Sequence, residues 1–291
     1  MRNILLTGGN GFIGRNLVES LQHEYQVYAP SHKDLDLLDF KALFSYVNSK
    51  KIDTIIHAAI HVPEVNGTER EFFYDMQMFL NIEKLSCFVD KIIYFGSGAE
   101  FDKRFDIQNV SEDSFGDSIP ASEYGLAKYA MTKIARASQN IYNLRLFGVF
   151  GKYELWQVKL ISNLCCKAIY DLPLTIRKDC SFNYLYIDDL TNVVKWFINH
   201  TPKYHDYNVC HDQSFALSEL AHIVRDISNK ELEIVLLSDA FNVDYTANNR
   251  RLHTECPAFQ VTDMRQAIKS LYDYYDKNKS LIDYGVLKAS R

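Results

Sequence analysis

The chain has 291 residues, of which 47% are hydrophobic and 24% charged, and its 32 Lys and Arg against 37 Asp and Glu leave a formal charge of −5. This composition suits one large or two modest globular domains with a self-sufficient core, and it excludes a disordered chain or a disulfide-stapled mini-protein. Mild acidity without a basic run removes nucleic acid and anionic membranes as expected partners, leaving small molecules.

The opening MRNILLTGG is apolar at once and leaves no room for a signal peptide, so the mature chain is expected to begin here. No stretch approaches the roughly 18 apolar residues of a membrane span. Cys87, Cys165, Cys166, Cys180, Cys210 and Cys256 lack C-x-x-C or metal spacing and read as reduced thiols of a cytoplasmic protein, mostly core fillers, with no metal.

Strand-length apolar runs are expected at Asn3 to Thr7, Gln26 to Ala29, Thr54 to Ala58, Lys91 to Phe95 and Tyr142 to Phe147. They are almost wholly apolar, as strands covered on both faces must be. Helical patterns lie between them, at Ile13 to His23 and Glu71 to Val89, and strand-helix alternation predicts an α/β fold with a Rossmann-type, doubly wound parallel sheet. Beyond Gly151 the rhythm changes. Helices are expected at Trp156 to Tyr170, Leu190 to Asn199, Leu217 to Ser228 (introduced by Ser214) and Met264 to Tyr275, with extended chain from Pro173 to Ile187 and a short strand at Ile234 to Leu237. A dinucleotide-binding domain is therefore expected over 1–151, rejoined by about 186–210, with a smaller mixed α/β substrate lobe formed by 152–185 and 211–291.

The first strand runs into TGGNGFIG, with Gly8, Gly11 and Gly14 at the strand-to-helix turn. Gly8 allows the turn, Gly11 lets a pyrophosphate approach the backbone, and Gly14 lets helix and strand pack closely, so the phosphates meet free amides. The alternative, a plain glycine turn, lacks an account of the amphipathic helix that follows. At the end of the second strand no carboxylate precedes Asp34, and Ser31, His32 and Lys33 could receive a 2′-phosphate. NADP(H) is thus favoured over NAD(H). The alternative is a solvated loop in which Asp34 or Asp36 reaches the ribose of NAD(H).

In EYGLAKY, Tyr124 and Lys128 are four apart and share a helix face. An ammonium near a phenol favours phenolate, which suits proton transfer. In a chain with 19 Tyr such spacing alone carries little, but KIIYFGSGAEF places Ser97 at the carboxyl edge of a strand, where open parallel sheets bind ligands.

Together with HAA at His57, LRLFGVFG at Leu144 and YLYIDDL at Tyr184, these motifs resemble the extended short-chain dehydrogenase/reductase family, in its nucleotide-sugar epimerase, dehydratase and reductase branch. The pattern is similar to GDP-fucose synthase-like and dTDP-4-dehydrorhamnose reductase-like 4-ketoreductases. The resemblance implies Ser97, Tyr124 and Lys128 as catalytic residues. It implies a cofactor site of Gly8, Gly11, Phe12, Ile13, Gly14, Ser31, His32, Lys33, Asp36, Leu37, Ala58, Ala59, Tyr124, Lys128 and Phe147. Substrate contacts are implied at Ser97, Gly98, Ala99, Tyr124, Gly148, Asn183 and Arg250. Family dehydratases carry Asp-Glu after the serine or threonine, where Gly98 and Ala99 stand here. Members that epimerise neighbouring carbons carry a Cys at the Ala99 position and a His within the segment that is Lys152 to Leu164 here, which contains none.

Hydride-and-proton chemistry remains. The leading expectation is NADP(H)-dependent reduction of a 4-keto sugar nucleotide; the rivals are a C4 epimerase with bound NAD and a non-catalytic dinucleotide sensor. The family's diphosphate-gripping Arg is Phe182 here, and its substrate-reaching Asn is Gly148, so Arg177, Lys178, Arg250 and Arg251 are candidates for the missing charge. His57 and His61 read as packed or backbone-bonded, and Asp188 and Asp189 as caps of the helix they begin. Family members often dimerise through four-helix bundles, and Glu71 to Val89 with Tyr124 to Gln139 would supply a homodimer of that kind, with Phe72, Met76, Phe79 and Leu80 either as its apolar face or as part of the core.

Overall fold

The computed structural model describes residues 1–61, 71–238, 240 and 242–290. The first half alternates β1 (Asn3–Thr7), α1 (Phe12–Leu21), β2 (Gln26–Tyr28), α2 (Phe40–Lys50), β3 (Thr54–His57), α3 (Glu71–Glu83), β4 (Lys91–Ser97), β5 (Ile107–Val110), α4 (Glu123–Ala137), β6 (Ile141–Leu146) and β7 (Gly148–Phe150). There follow α5 (Leu160–Ile169), β8 (Leu174–Ile176), β9 (Ser181–Phe182), β10 (Tyr184–Tyr186), α6 (Ile187–Asn199), β11 (Asp206–Val209), β12 (Phe215–Ala216), α7 (Leu217–Ser228), β13 (Ile234–Leu236), β14 (Tyr245–Ala247), α8 (Arg250–Glu255), α9 (Met264–Lys277) and α10 (Tyr284–Ala289).

Six parallel strands form the central sheet in the order β11-β6-β4-β3-β1-β2, a Rossmann-type arrangement. The apolar runs follow from burial on both faces. Ile4, Leu6, Ile56 and Ile93 point into a core with Leu17 and Leu21 of α1 and Leu190, Val194 and Phe197 of α6. Their neighbours Leu5, Ile55 and Ile92 point into a second core with Leu43, Val47, Phe79 and Ala127 from α2, α3 and α4. A period of two thus places alternate residues on opposite faces. A third core joins α5, α7 and α9 through Leu164, Leu220, Val224, Ile268 and Leu271.

Several local expectations need correction. The helix expected over Glu71 to Val89 stops at Glu83, where the Leu85 amide bonds Ile82 three residues back and the chain tightens into a 3₁₀ turn at Ser86–Phe88. Of the residues that suit either a dimer face or the core, Phe79 belongs to the core, fully buried. Ser214 does not introduce α7; the Ala216 amide donates to the Glu219 carboxylate at 2.8 Å instead. Asp189 does not cap its own helix either. It receives the amide and hydroxyl of Thr262 at 2.9 and 2.7 Å, pinning the chain leading into α9. The strand β11 was not anticipated as such, nor were α2, β5 and β14.

The turn after β4, the end of β6 and the strand β11 are locked together by one buried guanidinium. Arg145 of β6 has no exposed surface and donates to Glu100 at 2.8 Å, Asn208 at 3.0 Å and Asp206 at 2.9 Å. Burial alone pushes Asp206 up, but hydrogen bonds and charge from Arg136 and Arg145 bring it below the usual carboxylate range. Glu100 also accepts from Thr132 at 2.9 Å and from the Ser97 amide at 3.0 Å, so the network reaches the turn after β4. Replacing Arg145 by Met strands the buried Glu100 carboxylate, while Asp206 keeps Arg136 and Arg251, and the expected loss of about 3–5 kcal/mol in urea unfolding follows from breaking one side of a buried ion pair. A loss below about 1 kcal/mol would contradict it.

Candidate active site

β1 delivers the chain into a loop that only glycine permits. Gly8 has φ +73°, and a Cβ there would sit 2.7 Å from the Ala58 and Ala59 backbone. The Gly11 amide donates to the Gly8 carbonyl at 2.9 Å, and a Cβ on Gly14 would overlap that same carbonyl. The loop opens onto a cavity of about 640 Å³ whose wall includes Gly8, Gly11, Ser31, His32, Asp36, Leu37, Ala58 and Ala59. The first turn of α1 holds no acidic residue, so no carboxylate competes there with an anion for its free amides. Backbone donors at one end and an apolar wall of Leu35, Leu37 and Leu38 at the other fit a dinucleotide. Phe12 and Ile13 begin α1 and pack against the sheet core, not into the cavity wall.

At the ribose end the geometry differs from expectation. Ser31 donates both its amide and its hydroxyl to Asp34, at 3.1 and 2.5 Å, which holds the Asp34 carboxyl below its usual range. Lys33 is exposed and lies outside the wall. Of the three predicted residues only His32 lines the cavity unengaged by Asp34, and its Nδ1 stands 3.9 Å from Asp36.

Ser97 ends β4 at its carboxyl edge, buried, with its Oγ accepting from the Ala99 amide at 3.2 Å. Ser122 caps α4 by accepting the Gly125 amide, placing half-buried Tyr124 in the first turn and buried Lys128 in the next. A Cβ on Gly125 would lie 2.7 Å from the Ala99 carbonyl, so the start of α4 rests against the Ser97 turn. Lys128 donates to the Phe95 carbonyl at 3.0 Å, and its Nζ is 5.7 Å from the centre of the Tyr124 ring. Two segments distant in sequence, the turn after β4 and the start of α4, therefore meet. His57 is packed, its Nδ1 2.8 Å from the Thr7 hydroxyl, and burial holds it down at about 3, so it is neutral.

The substrate-side predictions divide. Gly98 is overlaid by Phe147 and Tyr245, and Phe147 packs on Phe101 and Tyr245. Gly148 lies under the Tyr184 ring, and Phe182 stacks between Tyr184 and Tyr245, forming an aromatic wall where a cation was expected. Asn183 does not face a ligand: it donates to the His211 carbonyl and accepts from the Ala247 amide, and it is buried. Arg250 is exposed at the start of α8, Arg177 and Lys178 are exposed, and Arg251 is held by Asp113 and Asp206. Tyr245 was missed. Its hydroxyl lies 3.3 Å from Ser97 Oγ, across 148 residues of chain. The five other cysteines are buried and Cys87 is exposed, and no described helix is long and apolar enough to cross a membrane.

Residues 4–210 match the NAD dependent epimerase/dehydratase family. The chain is 26% identical over 254 residues to the GDP-L-colitose synthase of Yersinia pseudotuberculosis, covering 77% of this chain and 81% of that one. It is 25% identical over 252 residues to the GDP-6-deoxy-D-talose 4-dehydrogenase of Aggregatibacter actinomycetemcomitans, covering 79% and 82%. Its fold is similar to a crystal structure of a GDP-L-fucose synthetase from Naegleria fowleri bound to NADP, with a TM-score of 0.84 at 18% identity over 96% of this chain and 94% of that one.

The neutral His57 yields a pH prediction. Its folded-state value lies below its ordinary one, so the unfolded chain takes the proton first; the stabilisation is complete above the ordinary value and is lost as pH falls towards about 3. Urea midpoints are expected to drop between about pH 7 and 4, and to drop less in His57→Gln. Equal pH slopes for the two proteins would show that His57 takes no part.

Proposed function

The chain belongs to the NAD dependent epimerase/dehydratase family, within the extended short-chain dehydrogenases/reductases, and on that premise we propose that it reduces the 4-keto group of a sugar nucleotide, with NADP(H) as cofactor. In this reading the sheet with α1, α6 and β11 holds the dinucleotide, and the remaining C-terminal elements hold the sugar nucleotide. When bound, the dinucleotide supplies the hydride. Tyr124 gives its phenolic proton to the oxygen of the carbonyl as that carbon is reduced. Lys128, one helical turn on, favours the resulting phenolate by its charge, and Ser97 donates a hydrogen bond to the same oxygen. The phenolate then recovers a proton from water.

The meeting of the Ser97 turn with the start of α4, where Lys128 lies one helical turn from Tyr124, in a chain that also carries a glycine-loop cavity, carries this proposal. Ala99 and the His-free stretch from Lys152 to Leu164 lack the extra acid and base that dehydration or 3,5-epimerisation would require. The names of the Yersinia and Aggregatibacter relatives and the NADP in the Naegleria structure point the same way. One observation favours the C4 epimerase with retained NAD: Ser31 is spent on Asp34, and Asp36 lines the cavity. A carboxylate there suits a ribose hydroxyl better than a phosphate.

Two measurements divide these readings. Purified protein given a panel of GDP-, dTDP- and UDP-linked 4-keto-6-deoxy sugars is expected to consume NADPH, and Tyr124→Phe to lower kcat by about 10²–10⁴-fold, as loss of a general acid does. Tightly bound NAD with sugar interconversion and no net consumption would replace the reductase by the epimerase. Binding of cofactor without turnover, unchanged by Tyr124→Phe, would leave a sensor. Separately, His32→Ala is expected to raise the KM for NADPH about 5- to 10-fold and leave NADH unchanged, since an exposed charge-assisted contact to the 2′-phosphate is lost. Equal effects on both cofactors would remove His32 from phosphate recognition.

A further inference from the structure

Ser97 has a second phenol beside it that the mechanism above does not use. Tyr245 comes from β14, in a short sheet with β5 and β9, and is 4% exposed. Its ring is clamped between Phe147, at 5.2 Å between centroids, and Phe182, at 5.1 Å, and the Lys103 ammonium lies 4.3 Å from its centre. Its hydroxyl is 3.3 Å from Ser97 Oγ. A Cβ on Gly98 would stand 2.7 Å from that hydroxyl and 2.6 Å from the Phe147 ring, so the approach requires glycine at the position next to Ser97.

Burial, to which the neighbouring Tyr124 and Glu100 add, holds the Tyr245 phenol well above its ordinary value against the opposing pull of hydrogen bonds with Ser97 and the Ala99 backbone. The hydroxyl is therefore protonated at any working pH and has a hydrogen to give. Ser97 Oγ already accepts from the Ala99 amide at 3.2 Å. A hydroxyl oxygen has two lone pairs and one hydrogen, so a second donor fills its acceptor capacity and leaves only its own hydrogen to be directed elsewhere.

We infer that Tyr245 is a positioning residue: by donating to Ser97 Oγ alongside the Ala99 amide, it fixes the serine hydroxyl so that its hydrogen faces the substrate oxygen. The inference rests on the reading of Ser97 as the group that meets the substrate. It also couples the C-terminal lobe to the chemistry, because β14 must be docked against the sheet edge for Ser97 to be oriented. The aromatic clamp holds the Tyr245 ring in place, and the hydroxyl alone does the orienting.

A double-mutant cycle separates orientation from packing. Tyr245→Phe keeps the ring and its stacking, and it is expected to lower kcat about 10-fold while the KM for the sugar nucleotide stays within about two-fold, the size of one hydrogen bond acting on the transition state. In a Ser97→Ala background the same substitution is expected to change kcat by less than about two-fold, because the group through which it acts is gone. Equal losses in both backgrounds would overturn the inference. A second readout needs no sugar. In Ser97→Cys the introduced thiol is alkylated with iodoacetamide across a pH series and followed by peptide mass, which separates it from the exposed Cys87. Adding Tyr245→Phe is expected to raise the alkylation midpoint by about one pH unit, since a thiolate loses a donor. An unchanged midpoint would overturn the inference even if keto sugars are reduced. A raised midpoint in a protein that reduces none would sustain it and discard the reductase reading.

Discussion

A guanidinium with no exposed surface, Arg145 of β6, ties its strand to the turn after β4 through Glu100 and to β11 through Asp206 and Asn208. Everything assembled at that sheet edge depends on it. Glu100 takes the Ser97 amide, Asn143 takes the Gly96 amide at 2.9 Å, and Thr132 of α4 joins both, so the turn after β4 and the helix carrying Tyr124 share one polar core. Such groups are costly to bury unless every partner is present, which makes the arrangement all-or-none. Ser97 is thereby held at a fixed height above the sheet while α4 is set against the same turn.

The opposite requirement governs the glycine loop. There the structure needs side chains to be absent: Gly8 passes the Ala58–Ala59 backbone, and Gly14 packs under the Gly8 carbonyl. The loop opens onto a cavity whose far wall is apolar, at Leu35, Leu37 and Leu38. Along one carboxyl edge the sheet carries locked charge beyond β4 and a loop emptied of side chains beyond β1, and in the proposed reading the first holds the reacting oxygen and the second a phosphate.

How much of this could be read from the chain depends on sequence separation. Strands covered on both faces announce themselves as apolar runs, and Ile4, Leu5 and Leu6 do alternate between two cores. Tyr124 and Lys128 are legible because a helix brings residues four apart together, and the glycines because the strand before and the helix after them supply context. The helix α2 was available in principle: Asp39 accepts the Ala42 amide, and Leu43 and Val47 fall four apart on its buried face. The Ser31–Asp34 pairing is also local, at a spacing common for side-chain caps, and reading it would have weakened Ser31 as a phosphate ligand. Tyr245 left no such signal. It reaches Ser97 through a three-residue strand 148 residues away, and no periodicity in a single sequence encodes that pairing. Asn183 misled for the related reason that a polar residue beside a family motif can be spent on backbone carbonyls and amides of its own lobe.

The central claim is that hydride passes from a nicotinamide to sugar C4 at the place where Ser97 and Tyr124 meet. Its most direct test is isotopic: NADPH deuterated at the transferable C4 position, incubated with a 4-keto-6-deoxy sugar nucleotide, followed by mass and NMR analysis of the sugar. The account predicts one deuterium per product, located at sugar C4, with an equal amount of oxidised cofactor released. A product carrying no deuterium, or sugar interconverted without any oxidised cofactor, would contradict it.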